Sequence, residues 1–304
     1  MFAVNIAIAG GTGFVGTALV DELIKAHHTV FILTRHPEKY HNQSRVHYIG
    51  WLYEGARPEN ALNNLDVVIN LAGESLNSGR WTAKRKQKIT ESRLTATKEM
   101  NRILAACTHK PSVVINASAI GVYGVSDQLT FSETTESIGE DFLAQTVKLW
   151  EHEALRSKIY SNRVVLARFG LILDQQGGAL PTMVLPYKLM AGGTIGRGTQ
   201  WLSWIHIQDV IRGILFCIDQ PKISGPVNFT SPEPTQMKPF GQMISSITHR
   251  PHWLPIPSFA LKLALGEMSM LVLEGQRVQP TKLLHHHFSF SYPTLKQALT
   301  DLLT

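Results

Sequence analysis

Residues 10–16 read Gly-Gly-Thr-Gly-Phe-Val-Gly. They stand between an apolar run, Val4-Asn5-Ile6-Ala7-Ile8-Ala9, and a helical pattern from Thr17 to Ala26. The order is strand, tight glycine turn, helix start. Gly10 and Gly13 lack a Cβ, so the turn closes tightly and the backbone can approach a pyrophosphate. Gly16 lets the helix pack close to the strand. The open N–H groups of the first helical turn, with the helix dipole, favour an anion there. A glycine string alone says little, but one flanked by strand and helix predicts dinucleotide binding. Gly10, Thr12, Gly13, Phe14 and Val15 are the expected contacts of this loop.

Further apolar runs at 29–34, 45–50, 66–71, 112–117 and 163–168 read as strands, and 82–106 and 142–156 as helices. Continuous apolar strands alternating with helices predict a parallel sheet covered on both faces. The expected fold class is α/β: a Rossmann-type doubly wound parallel sheet with a smaller C-terminal helical, substrate-side domain. Residues 1–170 form the expected dinucleotide-binding domain, which also draws on part of 200–231. Residues 171–250 read as a mixed substrate-side region and 251–304 as a small C-terminal domain. Ligands of such sheets sit at the carboxyl ends of the strands. Those ends are Gly10, Thr34, Ala72 and Ser118. The second glycine-rich stretch, 192–198, follows a helical pattern rather than a strand, and so reads as a flexible substrate-side loop. The segment after Pro251 is mostly helical and ends in an alternating stretch, Phe288-Ser289-Phe290-Ser291-Tyr292.

The chain has 304 residues, of which 44% are hydrophobic and 17% charged, enough for a proper core and against global disorder. The net charge of +6 suits anionic small molecules. Nucleic acid is not an expected partner, because the only dense basic run, Lys84-Arg85-Lys86-Gln87-Lys88, is short and module motifs are absent. Cys107 and Cys217 lie far apart without metal-ligand spacing, in apolar helical stretches, and read as buried thiols of a reducing cytoplasm. The chain enters its first strand at once, so no signal peptide is expected, and no run of 18 apolar residues predicts a membrane span. No metal is expected: adjacent histidines such as His285-His286-His287 would point to opposite faces of a strand.

An NAD site usually carries Asp or Glu at the end of the second strand, where it binds the ribose hydroxyls. Here Thr34 and Arg35 hold that place, and no carboxylate follows until Glu38. A planar, donor-rich guanidinium suits a 2′-phosphate, so NADP (NADPH) is the expected cofactor. The other reading leaves Arg35 as a surface residue of an unselective site.

Three segments carry a family resemblance: residues 10–16, Asn70-Leu71-Ala72-Gly73-Glu74, and Ala117-Ser118-Ala119-Ile120-Gly121-Val122-Tyr123-Gly124. Together they resemble the extended short-chain dehydrogenase/reductases. Within that group the chain is similar to the YfcH-like epimerase family proteins, through Arg80-Trp81-Thr82, Gly177-Gly178-Ala179-Leu180-Pro181, Trp204 to Asp209 and Leu273 to Pro280. The resemblance implies an NADP(H)-binding Rossmann fold and a C-terminal domain of unknown function. It also implies cofactor contacts at Thr34, Arg35, Leu71, Ala72, Gly73, Glu74 and Arg93. The implied substrate is a small molecule, a nucleotide sugar or another polar carbonyl or polyol.

The same resemblance exposes a gap. Short-chain dehydrogenases use a Tyr acid/base whose pKa is lowered by a Lys four residues on. Aligned on Tyr123-Gly124 and Glu151, the Tyr slot is Leu143 and the Lys slot Val147, while the Ser and Asn slots fall on Ala119 and Arg93. A one-residue slip brings Lys148 and Ser118 nearer but leaves Ala144 for Tyr. The literal Tyr292-x-x-x-Lys296 contains Pro293 and reads as coincidence. Ser118 and Tyr123 are the candidate replacements. Glu74, Arg80 as an anion clamp, and His206 as a base stand behind them, whereas His206 and Asp209 also suit bracing a helix start. Trp201, Trp204 and Tyr187 are candidate pocket walls. The chain is thus either an atypical oxidoreductase or epimerase-like enzyme, or an NADPH-binding sensor or scaffold without turnover.

Overall fold

The computed structural model describes residues 3–136 and 139–304. Seven strands build one parallel sheet: β1 (Asn5–Ala9), β2 (Thr29–Thr34), β3 (Val46–Gly50), β4 (Val67–Asn70), β5 (Val113–Ala119), β6 (Val164–Phe169) and β7 (Gly225–Phe229). Their spatial order is β7-β6-β5-β4-β1-β2-β3. The chain reverses its winding direction between β1 and β4, where a doubly wound sheet opens its ligand crevice. The strand ends are level there. Ala9 lies opposite Leu33 and Asn70, and Asn70 opposite Asn116.

Period-2 alternation sorts the apolar side chains between two faces. Ile6 and Ile8 join Val30, Ile32 and Ile69 under α1 (Phe14–Lys25), while Ala7 and Ala9 join Leu33 and Val68 under α2 (Ala83–Ala106). Packing α1 close to the strands is what Gly16 permits. Thr82 caps α2 by accepting from the Arg85 amide, and Asp141 caps α3 (Phe142–Leu155) by accepting from the Leu143 and Ala144 amides. Each such cap is worth about 1 kcal/mol.

Strand–helix alternation is incomplete. The β2–β3 and β3–β4 crossovers hold only short 3₁₀ turns, Pro37–Lys39 and Pro58–Ala61. Proline opens each turn, and neither segment has the apolar periodicity to cover a sheet face. After β6 come α4 (Leu180–Lys188), α5 (Ile207–Asp219), which packs with α1 on the sheet, and, past β7, α6 (Met237–Thr248), α7 (Ser258–Leu265), α8 (Met270–Leu273), α9 (Thr281–His285) and α10 (Leu295–Leu303). A separate core holds Leu173, Val184, Trp204, Phe240 and Leu299. The stretch 288–292 keeps its alternation of burial but forms no strand. The Ser291 and Tyr292 amides donate to the Asp209 carboxylate instead of a neighbouring strand. Cys217 is buried, and burial pushes its thiol up to about 12. Cys107 is only half-buried, because it follows the last turn of α2. Among the described residues, no helix is long and apolar enough to cross a membrane, and no group of His, Cys, Asp or Glu has the makings of a metal site.

Candidate functional site

The glycine loop joins the end of β1 to α1. Gly10 has φ +80°, and a Cβ there would meet the Leu71 carbonyl carbon at 2.8 Å. Gly10 therefore serves two ends: a left-handed turn and close passage of β4's exit. A Cβ on Gly16 would lie 2.1 Å from the Gly10 carbonyl oxygen. Gly13 precedes α1 in extended backbone, and no side chain caps it. The first-turn amides, with the exposed Thr12 and Phe14, are thus open to an anion. Residues 10–16 fit a dinucleotide pyrophosphate on this geometry.

One part of the cradle was not legible as such. The Phe14 ring lies against Gly177 and Gly178, where a Cβ on Gly177 would approach it to 2.4 Å. The paired glycines signal a loop in sequence, but not what the loop covers.

Thr34 and Arg35 stand at the end of β2. Thr34 is buried, with its hydroxyl accepting from the His36 amide at 3.3 Å. Arg35 is exposed and has no ion pair among the described residues. At the end of β4, the Leu71 amide donates to Ala9 and the Ala72 amide to the Asn70 side chain. Asn70 is held in turn by Thr97 and Asn116. Arg93 reaches from α2 to this exit. Its stem lies 3.3 Å from where a Gly73 Cβ would stand, its Nη1 donates to the Glu74 carbonyl at 3.1 Å, and its guanidinium covers the Trp150 ring at 5.2 Å. Burial pulls Arg93 down to about 10, against the opposing pull of Glu74. The Glu74 carboxylate bonds Arg85 at 2.8 Å, which holds it below the usual carboxylate range. The structure thus brings Leu71, Ala72, Gly73, Glu74 and Arg93 together beside the glycine loop.

Leu143 and Val147 lie on α3 beside the segment that follows β5. The Leu143 Cβ is 3.6 Å from where a Gly121 Cβ would stand, and Val147 packs with Val122, Tyr123 and Ala119. In the shifted register, Ala144 is fully buried and Lys148 donates to the Gly139 carbonyl at 2.8 Å. Ser118 and Tyr123, 2% and 0% exposed, share one buried polar network. Ser118 donates to Glu151 at 2.5 Å, Arg168 clasps Glu151 at 2.7 and 2.8 Å and donates to Tyr123, and Tyr123 donates to Asn228 at 2.8 Å. Burial raises the Tyr123 phenol, with Arg168 and Asn228 opposing. Burial pulls Arg168 down instead, but Glu151 more than offsets this and leaves it above its ordinary value. The network was not legible in sequence because β5, α3, β6 and β7 supply its members.

The remaining candidates have structural partners. Arg80 donates to the Leu263 carbonyl at 2.6 Å, tying the β4–α2 segment to α7. Trp204 and Tyr187 are buried, so the expected pocket walls are core residues. The Trp204 indole donates to Glu233, and Tyr187 bonds His252. Trp201 is half-exposed beneath the Arg277 guanidinium at 4.8 Å. Tyr292 donates to Asp301 and stacks on His206 at 3.8 Å. His206 is buried at the start of α5, where its Nδ1 accepts from the Gln208 amide and its Nε2 faces Asp301 at 3.2 Å.

Burial holds His206 below the ordinary imidazole value, with Asp301 opposing. Stability from a neutral buried imidazole is present above the unfolded value near 6.5 and is lost as pH falls. His206→Asn keeps a capping acceptor and removes the titration. Its urea midpoint therefore falls less between about pH 7 and 5 than that of the wild type; an equal fall assigns the acid sensitivity elsewhere.

A family model described as NAD dependent epimerase/dehydratase family matches residues 6–228, and the Domain of unknown function (DUF1731) matches residues 256–302. The chain is 48% identical over 299 residues to the epimerase family protein YfhF of Bacillus subtilis, covering 98% of each. Among solved structures it is similar to human epimerase family protein SDR39U1 (isoform 2) with NADPH, at TM-score 0.87 and 26% identity over 98% of each chain. It is also similar to a nucleoside-diphosphate sugar epimerase from Corynebacterium glutamicum, at TM-score 0.79 and 29% identity, covering 99% of this chain and 58% of that one. With the glycine cradle at the winding switch and a family match over most of its length, the chain belongs to the NAD dependent epimerase/dehydratase family and carries a DUF1731 segment at its C-terminal side.

Proposed function

We propose that the protein binds NADP(H) and is an atypical oxidoreductase or epimerase-like enzyme of the short-chain dehydrogenase/reductase type. The observation that carries the NADP preference is Arg35, exposed and unpaired among the described residues at the end of β2, with no acidic residue beside it. Gly10, Thr12, Gly13, Phe14 and Val15 hold the pyrophosphate in this reading. Thr34 and Arg35 take the 2′-phosphate end, and Leu71, Ala72, Gly73, Glu74 and Arg93 line the next stretch. When bound, the cofactor supplies or accepts a hydride. The likeness to a relative solved with NADPH supports this reading, and the likeness to a nucleoside-diphosphate sugar epimerase supports a nucleotide sugar or similar polar substrate.

Leu143 and Val147 exclude water and move no proton. Ser118 and Tyr123 act here as positioning residues, since their hydroxyls are spent within the buried network. That apolar pair favours a second reading, an NADPH-binding sensor or scaffold without turnover. Titration with NADPH, followed by an NADPH-oxidation screen over carbonyl compounds and nucleotide sugars, separates the two. Turnover of any substrate supports the enzyme; tight NADPH binding with no turnover leaves the sensor.

Arg35→Ala tests the 2′-phosphate assignment. Loss of a charge-assisted contact weakens NADPH binding by roughly 10–100-fold. NADH binding changes little, and equal loss for both cofactors rejects the assignment.

A further inference from the structure

The DUF1731 segment contains a strap, residues 274–282. It runs between the stretch that follows Tyr123 and the backbone at 201–203. The Ser126 amide donates to the Gly275 carbonyl at 3.0 Å, Arg277–Val278 pairs in parallel with Thr130–Phe131, and the Gln279 amide donates to the Phe131 carbonyl at 2.9 Å. On the other side, the Ser203 hydroxyl donates to the Gln276 carbonyl and accepts from the Val278 amide, both at 2.8 Å. A Cβ on Gly275 would lie 2.0 Å from the Trp201 carbonyl oxygen, so the strap passes there only as glycine. Val278 is fully buried and packs with Tyr123 and Val147.

Two side chains join this strap to β7. Glu133 Oε1 accepts from the Asn228 amide at 3.0 Å and from the Lys282 amide at 3.2 Å. Secondary structure leaves both amides over: β7 is an edge strand, and Lys282 lies in the first turn of α9. Asn228 donates from Nδ2 to the Gln279 carbonyl at 3.0 Å. Its Oδ1 must then face Tyr123, whose hydroxyl donates to it and accepts from Arg168. A main-chain carbonyl of the strap thus sets the direction of the hydrogen bonds through Asn228, Tyr123 and Arg168. We infer that Glu133 and Asn228 are positioning residues, which make the C-terminal strap part of the cofactor site by fixing residues 119–124, through Tyr123, on β7. The inference rests on the proposed binding of NADP(H). Strand order supplies the link. A dinucleotide with its 2′-phosphate at Arg35, beyond β2, crosses the loop after β1 and residues 71–74 after β4. The next strand end in that line, about 5 Å further on, is that of β5, where 119–124 begin. Occupancy of the site and closure of the strap therefore favour each other.

Hydrogen exchange of the full chain, read peptide by peptide with and without saturating NADPH, tests the inference. In the wild type, NADPH slows exchange in the glycine loop, in 126–133 and in 275–282, by about fivefold or more in the strap. Glu133→Ala keeps the slowing in the loop, loses it in the strap, and binds NADPH roughly 5–20-fold more weakly. Glu133→Gln retains an oxygen for both amides and behaves as the wild type. Oε2 has no partner among the described residues, so this change gives up no bond. Ser203→Ala loosens the strap from its other side and repeats the Glu133→Ala result. Leu299→Ala, in the core between α4, α6 and α10, is the control for general loss of stability and leaves NADPH affinity unchanged. Slowing in the loop without slowing in the wild-type strap overturns the inference and leaves the cofactor reading standing. A Glu133→Ala variant like the wild type overturns it too, as does a Leu299→Ala variant that weakens NADPH equally. No slowing in either place overturns the cofactor reading, and the inference with it.

Discussion

Gly16→Val abolishes NADPH binding, with at least about a 100-fold loss of affinity, and destabilises the fold by about 1–3 kcal/mol. Even the first added carbon has no room. A Cβ at this position lies 2.1 Å from the Gly10 carbonyl oxygen and 2.7 Å from the Gly11 Cα. Both obstacles are backbone, so no side chain can swing aside. The start of α1 must retreat from β1, and the amides of its first turn move with it. Those amides face the pyrophosphate in the proposed complex, so a shift well under the width of an atom disorders binding. Gly79→Ala is the control. Gly79, unlike Gly16, has a positive φ, +96°, and nothing lies within 4 Å of its Cβ position. That substitution costs about 1 kcal/mol of backbone strain and leaves NADPH affinity alone. Isothermal titration with NADPH and urea melts of both variants provide the measurements. Near-normal affinity in Gly16→Val means that the loop does not hold the dinucleotide.

The glycine loop was legible because its constraints are local. A strand, a tight turn and a helix follow each other within 20 or so residues, and backbone clearance alone explains the glycines. Six of the seven strands were legible for the same reason: they are mostly apolar runs, and parallel strands buried on both faces need no partner to be recognised. The seventh, β7, holds Pro226 and Asn228 and was not placed in the sheet. Non-local pairings were not legible. Nothing in 171–190 says that Gly177 meets Phe14. Trp204 and Tyr187 looked like pocket walls because aromatic residues in a loop-rich region suggest a ligand, yet they fill the core built by α4, α6 and α10. Asp209 looked like a helix-start residue, and it is one. Its carboxylate also takes the amides of Ser291 and Tyr292, more than 80 positions away, which is why an alternating stretch forms no strand. The register that puts Leu143 and Val147 in the acid/base slots was an alignment, and its geometric support comes only from α3 packed beside Gly121.

Arg168→Met costs about 3–5 kcal/mol, because it leaves the Glu151 carboxylate buried without its counter-ion. Both residues are buried, and their contact is bidentate, at 2.7 and 2.8 Å. A loss of that size is a third or more of the total stability of many domains. The damage reaches the site by a defined route. Without Arg168, Tyr123 loses a donor to its hydroxyl, and Ser118 keeps its bond to a carboxylate that no longer has a fixed place. These two residues bracket 119–122, the segment against which Leu143 packs. Any NADPH affinity that depends on this segment therefore falls in the surviving folded fraction. Adding Glu151→Leu removes the stranded charge and recovers most of the lost stability, since a buried ion pair replaced whole by apolar side chains is often neutral. The double variant does not restore the polar anchor for Ser118, so its stability and its NADPH affinity part company. Urea melts of the two single variants and the double complete the cycle. A cost below about 1 kcal/mol for Arg168→Met, or no recovery in the double, means that the pair does not carry the energy of this network.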